Sequence, residues 1–393
     1  MVERQRRAVL ALFFVNGASF SSWLPRIPEV RDRLDLSLGA LGLVLLGVGL
    51  GGLVSSAVGG VLVDRIGSRR AAVASSVVVA VGLPLIGVAP SALLLAGVLV
   101  VLSAIDAVAD IAMNVQAADV QRVRDESVVQ RFHAAWSVGT LAGAGSGTAA
   151  AAVELGLTTQ LAIVGAAIVA VVLVARPHLS VAVTPHDEPA PGARRAPVLV
   201  LLAGLALVVA VVEGTPGDWA AIFGSDVHGV TDGVAGLGYV AVAAGMVVGR
   251  LTGDHATDRL GARRLFGVAL GTVVIGLVVV VTSPNEVVAI TGFALCGLGN
   301  SVLFPALYLQ AATTPGVPAG LGLGVMASGA RIGFLASPVV VGALSDATTL
   351  RVGLGAVIGT AALCSVILGR QLHVASSAAP GAAMVPVSGE ADP

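Results

Sequence analysis

Apolar residues form about twelve long runs along the 393-residue chain, separated by short stretches that carry charge, proline or glycine. A helix that crosses the hydrocarbon core of a membrane needs roughly 20 mainly apolar residues, which is about the length of these runs. The pattern therefore predicts transmembrane helices over residues 8–25, 38–62, 71–89, 91–118, 132–153, 157–175, 197–223, 233–253, 264–282, 285–311, 320–345 and 350–369.

One internal break is longer and more polar than the others. It reads RPHLSVAVTPHDEPAPGARRAP and leaves six apolar runs on each side. The tail after Gln371 is small and polar, a composition typical of disorder. We therefore predict an N-terminal six-helix bundle (1–175), a cytoplasmic linker (176–196), a C-terminal six-helix bundle (197–370) and a disordered cytoplasmic tail (371–393).

Composition supports an integral membrane protein. Hydrophobic residues make up 56% of the chain and charged residues 11%, against roughly 25% charged residues in a soluble domain. The net charge of −1 argues against nucleic acid as a partner. Cys296 and Cys364 both lie in apolar runs, which argues against a disulfide framework or a metal site. No Gly-Lys-Ser/Thr phosphate loop is present, so we expect no cofactor.

The arginines predict the orientation in the membrane. With both termini in the cytoplasm, sixteen arginines lie in inside segments and four lie outside, namely Arg26, Arg31, Arg33 and Arg351. Cytoplasmic loops carry an excess of basic residues, so this topology is favoured. The basic start, MVERQRR, is followed by an apolar run without a clear cleavage site. We interpret it as a retained first helix, with a removed signal peptide as the alternative.

A short loop occurs twice. Residues 59–70 read GGVLVDRIGSRR and residues 253–264 read GDHATDRLGARR, 194 residues further along. Parallel structural repeats of this kind are typical of transporters, with the substrate bound near the midplane between the halves. We expect both loops, with His133 at the mouth of the fifth helix as a gate or an ordinary capping residue, to form a conformational gate. Its residues would be Asp64, Arg65, Gly67, Arg69, Arg70, Asp258, Arg259, Gly261, Arg263, Arg264 and His133.

The first copy, Gly60-x-x-x-Asp64-Arg65-x-Gly67-x-Arg69-Arg70, resembles the signature loop of the major facilitator superfamily between helices 2 and 3. The second copy has Asp254 in place of the first glycine. The resemblance covers residues 8–370. It implies an all-α integral membrane fold of twelve transmembrane helices in two pseudo-symmetric six-helix bundles, which works by alternating access as a single polypeptide.

Further motifs resemble a group of bacterial inner-membrane permeases near the fucose-permease-like sugar transporters. They include DIAMNVQ (110–116), RFHAAWSVG (131–139) and WLPRIP (23–28). The resemblance implies a bacterial cytoplasmic membrane location and a proton-coupling role for Asp110. The second acid of those relatives, on helix 1, has no counterpart, because Ser21 stands there. The glycine-proline signature of drug/proton antiporters is also missing from helix 5.

Charged residues inside membrane segments are the first candidates for function, because each costs roughly 2.5–3.5 kcal/mol to insert. Asp106 and Asp110 lie one turn apart in helix 4, Glu213 lies in helix 7 and Arg331 in helix 11. Two carboxylates so close in a low dielectric should not both ionise. We predict that three carboxylates face one interior cation, Arg331, and that Asp110 or Asp106 carries a proton. Polar helix packing and a fixed ion pair of Arg331 are the alternatives.

Polar and aromatic side chains on helix faces are the candidates for solute contacts. They are Asn16, Ser19, Trp23, Asn114, Trp136, Trp219, Asn300 and Tyr308. For the tryptophans, an interfacial belt is the alternative interpretation.

The predicted function is secondary active transport of a small solute, by proton-coupled symport. A proton-antiport exporter of a small metabolite or drug is the alternative within transport. A membrane-embedded enzyme would need a nucleophile–base set or metal ligands at membrane depth, and a sensor would need a soluble output domain; the sequence provides neither. The expected partners are the solute, H⁺ and the lipid bilayer, and we expect a monomer.

Overall fold

The computed structural model describes residues 2–124, 129–180, 196–314, 317 and 319–377, and every regular element within these ranges is helical. Most of the predicted linker and residues 378–393 of the predicted tail lie outside the described residues. Helices of the first half are α1 (Val2–Ser21), α2 (Ile27–Arg33), α3 (Leu38–Ile66), α4 (Ser68–Gly82), α5 (Pro84–Val88), α6 (Ala92–Arg124), α7 (Val129–Ala152) and α8 (Leu157–Ala175), with short 3₁₀ turns at Leu24–Arg26 and Arg176–His178.

The second half repeats this arrangement. Its helices are α9 (Ala196–His228), α10 (Asp232–Ala235), α11 (Leu237–Leu260), α12 (Ala262–Thr282), α13 (Glu286–Asn300), α14 (Leu303–Thr313), α15 (Ala319–Ala347) and α16 (Leu350–Ser377). Helix α16 continues to Ser377, so residues 371–377 are helical where the sequence predicted disorder.

Each of the twelve predicted membrane segments corresponds to one helix or to a broken pair. Ten stretches of the described residues are long and apolar enough to cross a membrane. The other two segments are α7 and the apolar part of α16, Leu350–Val366. The tenth segment breaks between Asn300 and Leu303, so that Pro305 lies in the first turn of α14.

The two halves form separate bundles that pack through matching helices. In the first bundle α1 lies along α7, and in the second α9 lies along α15. Gly139 of α7 is so close to α1 that a methyl group would meet the Phe14 carbonyl, and Gly333 of α15 faces the Leu207 carbonyl in the same way. These glycines are 194 residues apart, so the duplication extends to the packing. Contacts between the bundles run through α3 with α15 and α7 with α11.

The two copies of the repeated loop have the same backbone. Gly67 ends α3 with φ +85°, and Gly261 ends α11 with φ +74°. Only glycine adopts this region without a steric penalty, which explains why this residue is kept in both copies. The next helix begins at once, with Ser68 or Ala262. The loop is therefore a tight, rigid corner between two helices.

The molecule has two ends. We call the end that carries residues 59–70 and 253–264 the loop face, and the end that carries residues 22–37, 226–237 and 346–351 the opposite face. Between them, large apolar side chains such as Leu93, Val174 and Leu251 stand exposed on the outside of the bundles. A flank of this kind is stable against lipid tails rather than water.

Candidate functional site

The two halves are joined at the opposite face by polar contacts. Arg31 Nη1 of the first half lies 2.5 Å from Asp226 Oδ2 of the second. Asp346 Oδ2 of the second half accepts hydrogen bonds from Ser37 Oγ at 2.8 Å and from the Gly39 amide at 2.9 Å. A carboxylate that accepts from an amide in the first turn of α3 also meets the positive end of the helix dipole. These contacts fix the halves together at this end.

Next to these polar contacts, glycines let α3 and α15 approach closely and seal the opposite face. A side chain at Gly42 would collide with the Pro338 carbonyl of α15, and one at Gly342 with the Leu38 carbonyl of α3. Gly49, two turns further along α3, lies against Leu335. The backbones of α3 and α15 thus touch directly over the part of the molecule next to the opposite face.

Towards the loop face the same two helix surfaces separate. Gly60 lies eleven residues beyond Gly49, so it points in nearly the same direction, yet a methyl group there would meet no described atom within 4 Å. Gly324, eleven residues before Leu335 on α15, is equally open. The halves therefore close at the opposite face and diverge towards the loop face, which leaves a central cleft between them.

In the first half, Asn16 of α1 connects two other helices. Its Nδ2 donates to Asp106 Oδ1 of α6 at 2.8 Å, and its Oδ1 accepts from Trp136 Nε1 of α7 at 2.9 Å. Both ends of the amide are thus used, which also fixes its orientation. Asp106 is held by a neutral partner here, and the chain of polar groups leads from α6 through α1 to α7.

Arg250 of α11 continues this chain from the other half. Its guanidinium lies over the Trp136 ring, 5.4 Å from the ring centre, and Nη1 donates to Ser137 Oγ. Arg250 also attracts Glu213 of its own half electrostatically. The expectation of one interior cation is therefore wrong, because Arg250 is a second one beside Arg331 within the described residues. The signal was present in the sequence, since Arg250 interrupts the apolar run 233–253.

Asp110 lies on the open side of α6, one turn nearer the loop face than Asp106. Its carboxylate is exposed and accepts from Asn114 Nδ2 at 3.2 Å. Arg331 and Tyr308 of the second half both interact with it electrostatically across the central cleft. Tyr308 is 50% exposed, and the Phe304 ring lies between it and Phe334, which is also exposed. A carboxylate of the first half thus lies within electrostatic range of an arginine and a phenol of the second half.

Glu213 is the third predicted carboxylate and lies deeper in the second half. Its Oε2 is buried and has no hydrogen-bond partner among the described residues. Tyr308 is close enough to interact with Glu213 as well as with Asp110 and Arg331. Asp218, five residues further along α9, is only partly exposed and lies near Tyr239. Glu213 therefore shares the cleft region with both interior arginines.

Four predicted solute contacts lie in buried helix packing. Trp23 and Trp219 are fully buried, and neither indole N–H has a hydrogen-bond partner in the described ranges. Ser19 is buried and bonds to the Asn16 carbonyl of its own helix, while Asn300 is buried and donates to the Val212 carbonyl at 3.3 Å. Asn16, Asn114, Trp136 and Tyr308 instead lie at or beside the central cleft.

The predicted gate residues lie where the halves diverge. Asp64, Arg65, Arg70, Asp258, Arg259 and Arg264 are exposed at the loop face, and Arg69 is partly exposed; the Arg263 side chain lies outside the described residues. His133 is exposed near the start of α7, and its ring packs at nearly a right angle to the Phe13 ring, with 5.3 Å between the ring centres. Within the described ranges, no three His, Cys, Asp or Glu side chains are grouped as metal ligands would be.

Comparison with known structures identifies the fold. A variant of the nucleoside transporter NupG superposes with a TM-score of 0.76 at 12% identity, covering 94% of this chain and 99% of that one. A bacterial homologue of the human lysosomal transporter Spinster, in an inward-facing and unoccupied conformation, superposes with a TM-score of 0.75 at 16% identity, covering 96% and 97%.

The sequence itself has relatives of the same kind. An uncharacterized MFS-type transporter of Yersinia pestis is 30% identical over 349 residues, which is 88% of this chain and 90% of the relative. The family model described as Major Facilitator Superfamily matches residues 9–257 and 219–386. With twelve membrane segments in two repeated bundles and a cleft between them, the chain belongs to the major facilitator superfamily.

Proposed function

We propose a transport mode for this protein, which as a member of this family is a multi-pass membrane transporter and not an enzyme. We propose that it moves a small solute by alternating access, coupled to protons as a symporter. We further propose that it acts as a monomer, with an N-terminal bundle (1–175) and a C-terminal bundle (197–370) joined by the cytoplasmic linker 176–196. The observation that carries the proposal is the electrostatic interaction of the exposed Asp110 of the first half with Arg331 and Tyr308 of the second.

The orientation in this proposal follows from the arginines, which put the loop face and both termini in the cytoplasm of a bacterial cell. The conformation described above is then inward-facing. All four arginines assigned to the outside are held by protein groups. Arg26 pairs with Glu29, Arg31 with Asp32 and Asp226, while Arg33 and Arg351 donate to main-chain carbonyls. A basic residue whose charge is used in this way is compatible with an outer position.

Asp110 is the carboxylate that we propose to carry the proton. It is exposed to the cleft, whereas Asp106 beside it is already bonded to Asn16. A carboxylate close to a second carboxylate in a low dielectric gains stability from a proton or from a cation. Arg331 or the solute can supply that cation in one conformation, and H⁺ can replace it in the other. Protonation and the movement of the halves are thereby linked.

We propose that the substrate meets Asn114, Tyr308 and Trp136, which combine amide, phenol and indole groups with the charges of the cleft. Such a set suits a small polar solute that presents both hydroxyl groups and a ring or methyl face. Other predicted contact residues would not touch the solute but would hold α1, α9 and α13 in position behind the cleft; these are Ser19, Trp23, Trp219 and Asn300. The loops at 59–70 and 253–264, with His133, would close the cytoplasmic side in the other conformation.

The experiment begins with a thermal-shift screen of sugars, amino acids and organic acids on the purified protein, followed by reconstitution into liposomes. For each solute that stabilises the protein, uphill uptake driven by a pH gradient is compared with solute exchange at equal pH. Asp110→Asn should abolish uphill uptake and solute-driven proton movement while retaining exchange. Asp232→Asn removes an exposed carboxylate far from the cleft and is the matched control. Intact proton coupling in Asp110→Asn would refute the assignment, and solute efflux driven by inward proton flow would replace symport with antiport.

A further inference from the structure

A cleft of about 480 Å³ opens on the outer flank of the first bundle, at the loop face. It lies between the first turns of α1 and the last turns of α8, and it is separate from the central cleft between the halves. Its volume is in the range of about 300–1,000 Å³ that small-molecule sites occupy. Since its position is on the bilayer side of the protein, the molecules that reach it first are lipids.

The mouth of this cleft is basic. Arg4 and Arg7 of α1 and His178 of the 3₁₀ turn after α8 line it, and all three side chains are exposed. Glu3 Oε1 pairs with Arg6 at 2.6 Å and lies at the longer distance of 3.4 Å from Arg7. Arg4 forms no ion pair within the described part of the chain. At least one full positive charge is therefore available at the mouth.

The walls below the mouth are apolar. Ala11 of α1 and Ala170 and Val174 of α8 line the cleft, and the Val174 side chain is 74% exposed. The small residues make a groove between the helices rather than a flat surface. A ligand that fits both parts has a negatively charged head and an apolar chain that continues along the groove into the bilayer.

We propose that this cleft binds one anionic phospholipid, with the phosphate between Arg4, Arg7 and His178 and an acyl chain against Ala170 and Val174. Basic pockets between transmembrane helices at the membrane surface favour anionic headgroups over zwitterionic ones. Arginine donates two parallel hydrogen bonds to phosphate oxygens, which adds geometry to charge. The site uses α1, the helix whose Asn16 links Asp106 to Trp136. A bound lipid would therefore steady the helix at the centre of the first-half network.

The test is a lipid titration of the full-length protein in detergent, with bound lipid counted by native mass spectrometry. Phosphatidylglycerol is the anionic probe, phosphatidylcholine the zwitterionic one, and inorganic phosphate the headgroup alone. We expect one saturable phosphatidylglycerol site, with at least a tenfold preference over phosphatidylcholine. Arg4→Gln with Arg7→Gln should lower the affinity for phosphatidylglycerol by about 5-fold per arginine. The matched control, Arg122→Gln with Arg176→Gln, removes two exposed loop-face charges outside the cleft and should change the affinity less than twofold.

A third variant tests the groove rather than the charge. Ala170→Trp fills the apolar wall at an exposed position, so the fold is unaffected while lipid binding should fall at least fivefold. Equal losses in the Arg4/Arg7 and Arg122/Arg176 variants would overturn the proposal, because they would indicate diffuse attraction. Unchanged binding in Ala170→Trp, or displacement of phosphatidylglycerol by equimolar inorganic phosphate, would overturn it as well.

Discussion

The guanidinium of Arg250, in the second half, lies 5.4 Å from the centre of the Trp136 ring in the first half. Trp136 in turn donates to Asn16, and Asn16 to Asp106, so a charge of one bundle is connected to a carboxylate of the other through two side chains. Arg250 also interacts electrostatically with Glu213 in its own bundle. It is therefore placed to respond to the charge state of one half while it contacts the other.

This contact should be measurable as a coupling free energy. Arg250→Gln and Trp136→Leu, alone and together, form a double-mutant cycle that is read by chemical unfolding in detergent. A cation over an indole ring contributes about 0.5–2 kcal/mol, depending on burial, so we expect a coupling in that range. A parallel cycle of Arg250→Gln with the fully buried Trp219→Leu should give none, because no described contact joins these residues. Coupling below about 0.3 kcal/mol between Arg250 and Trp136 would show that the contact is incidental.

The ion pair between Arg31 and Asp226 should control the seal at the opposite face. Both side chains are mostly buried, at 16% and 26% exposure, so the pair is worth more than a fully exposed one, about 1–2 kcal/mol. Asp226→Asn should shift the ratio of sealed to open molecules by roughly 5- to 30-fold towards open. Spin labels at Asp35 and Thr231, one in each half, report this as a population with longer label–label distances.

Two further variants test whether the Arg31–Asp226 pair itself sets the label–label distances. Arg31 also contacts Asp32 of its own helix at 3.1 Å, so Asp32→Asn removes a similar charge without touching the interface and should leave the distances unchanged. Exchanging the charges, Arg31→Asp with Asp226→Arg, should restore part of the sealed population. Equal effects of Asp32→Asn and Asp226→Asn would mean that net charge, rather than the pair, sets the seal.

Two glycines on one surface of α3 should act in opposite directions. Gly42→Val places a side chain against the Pro338 carbonyl and forces the opposite face apart, so this variant should lose the sealed conformation. Gly60→Val fills open space and collides only when the loop face closes, so it should hold the cleft open towards that face. The same spin labels distinguish the two outcomes, since Gly60→Val should give only the short distance. Identical distance distributions would contradict a rocking motion about the central region.

Asn16 should be important for stability as well as for coupling. Asn16→Leu removes a hydrogen bond to a carboxylate and another to an indole, and leaves both groups without those partners. Each orphaned group costs about 1–3 kcal/mol, so we expect a clear fall in the thermal unfolding temperature in detergent. Ser19→Ala, three residues along, removes only a bond to its own helix and should have a much smaller effect. A similar fall in both variants would assign the effect to α1 in general.

The helices and the duplication were predictable because they depend on local signals. Apolar run length fixes a membrane helix, and a glycine between charged residues fixes the corner at Gly67 and Gly261. The break after Asn300 is different. Pro305 is the obvious helix breaker in this segment, but proline is tolerated in the first turn of a helix, so α14 begins before it at Leu303.

The arrangement of the candidate site was only partly predictable. Asp110 and Arg331 are conspicuous in apolar runs, but whether Asp106 is free or bonded depends on Asn16, ninety residues away. Trp23 and Trp219 are near the ends of apolar runs, which is where interfacial tryptophans occur, yet both are completely buried by the packing of α1 and α9. Arg250 is inconspicuous in the sequence, because the charged second copy of the loop begins only three residues further along.

The contact of α3 with α15 is made by main chain against main chain, since Gly42 and Gly342 face carbonyl groups. Closing such a surface costs almost no side-chain conformational entropy, so the contact can form and break quickly. The α3–α15 surface also recognises no feature of the transported solute. Solute recognition can therefore change through the residues of the cleft while the helices that move stay the same. Relatives with different solutes can share this α3–α15 contact unchanged.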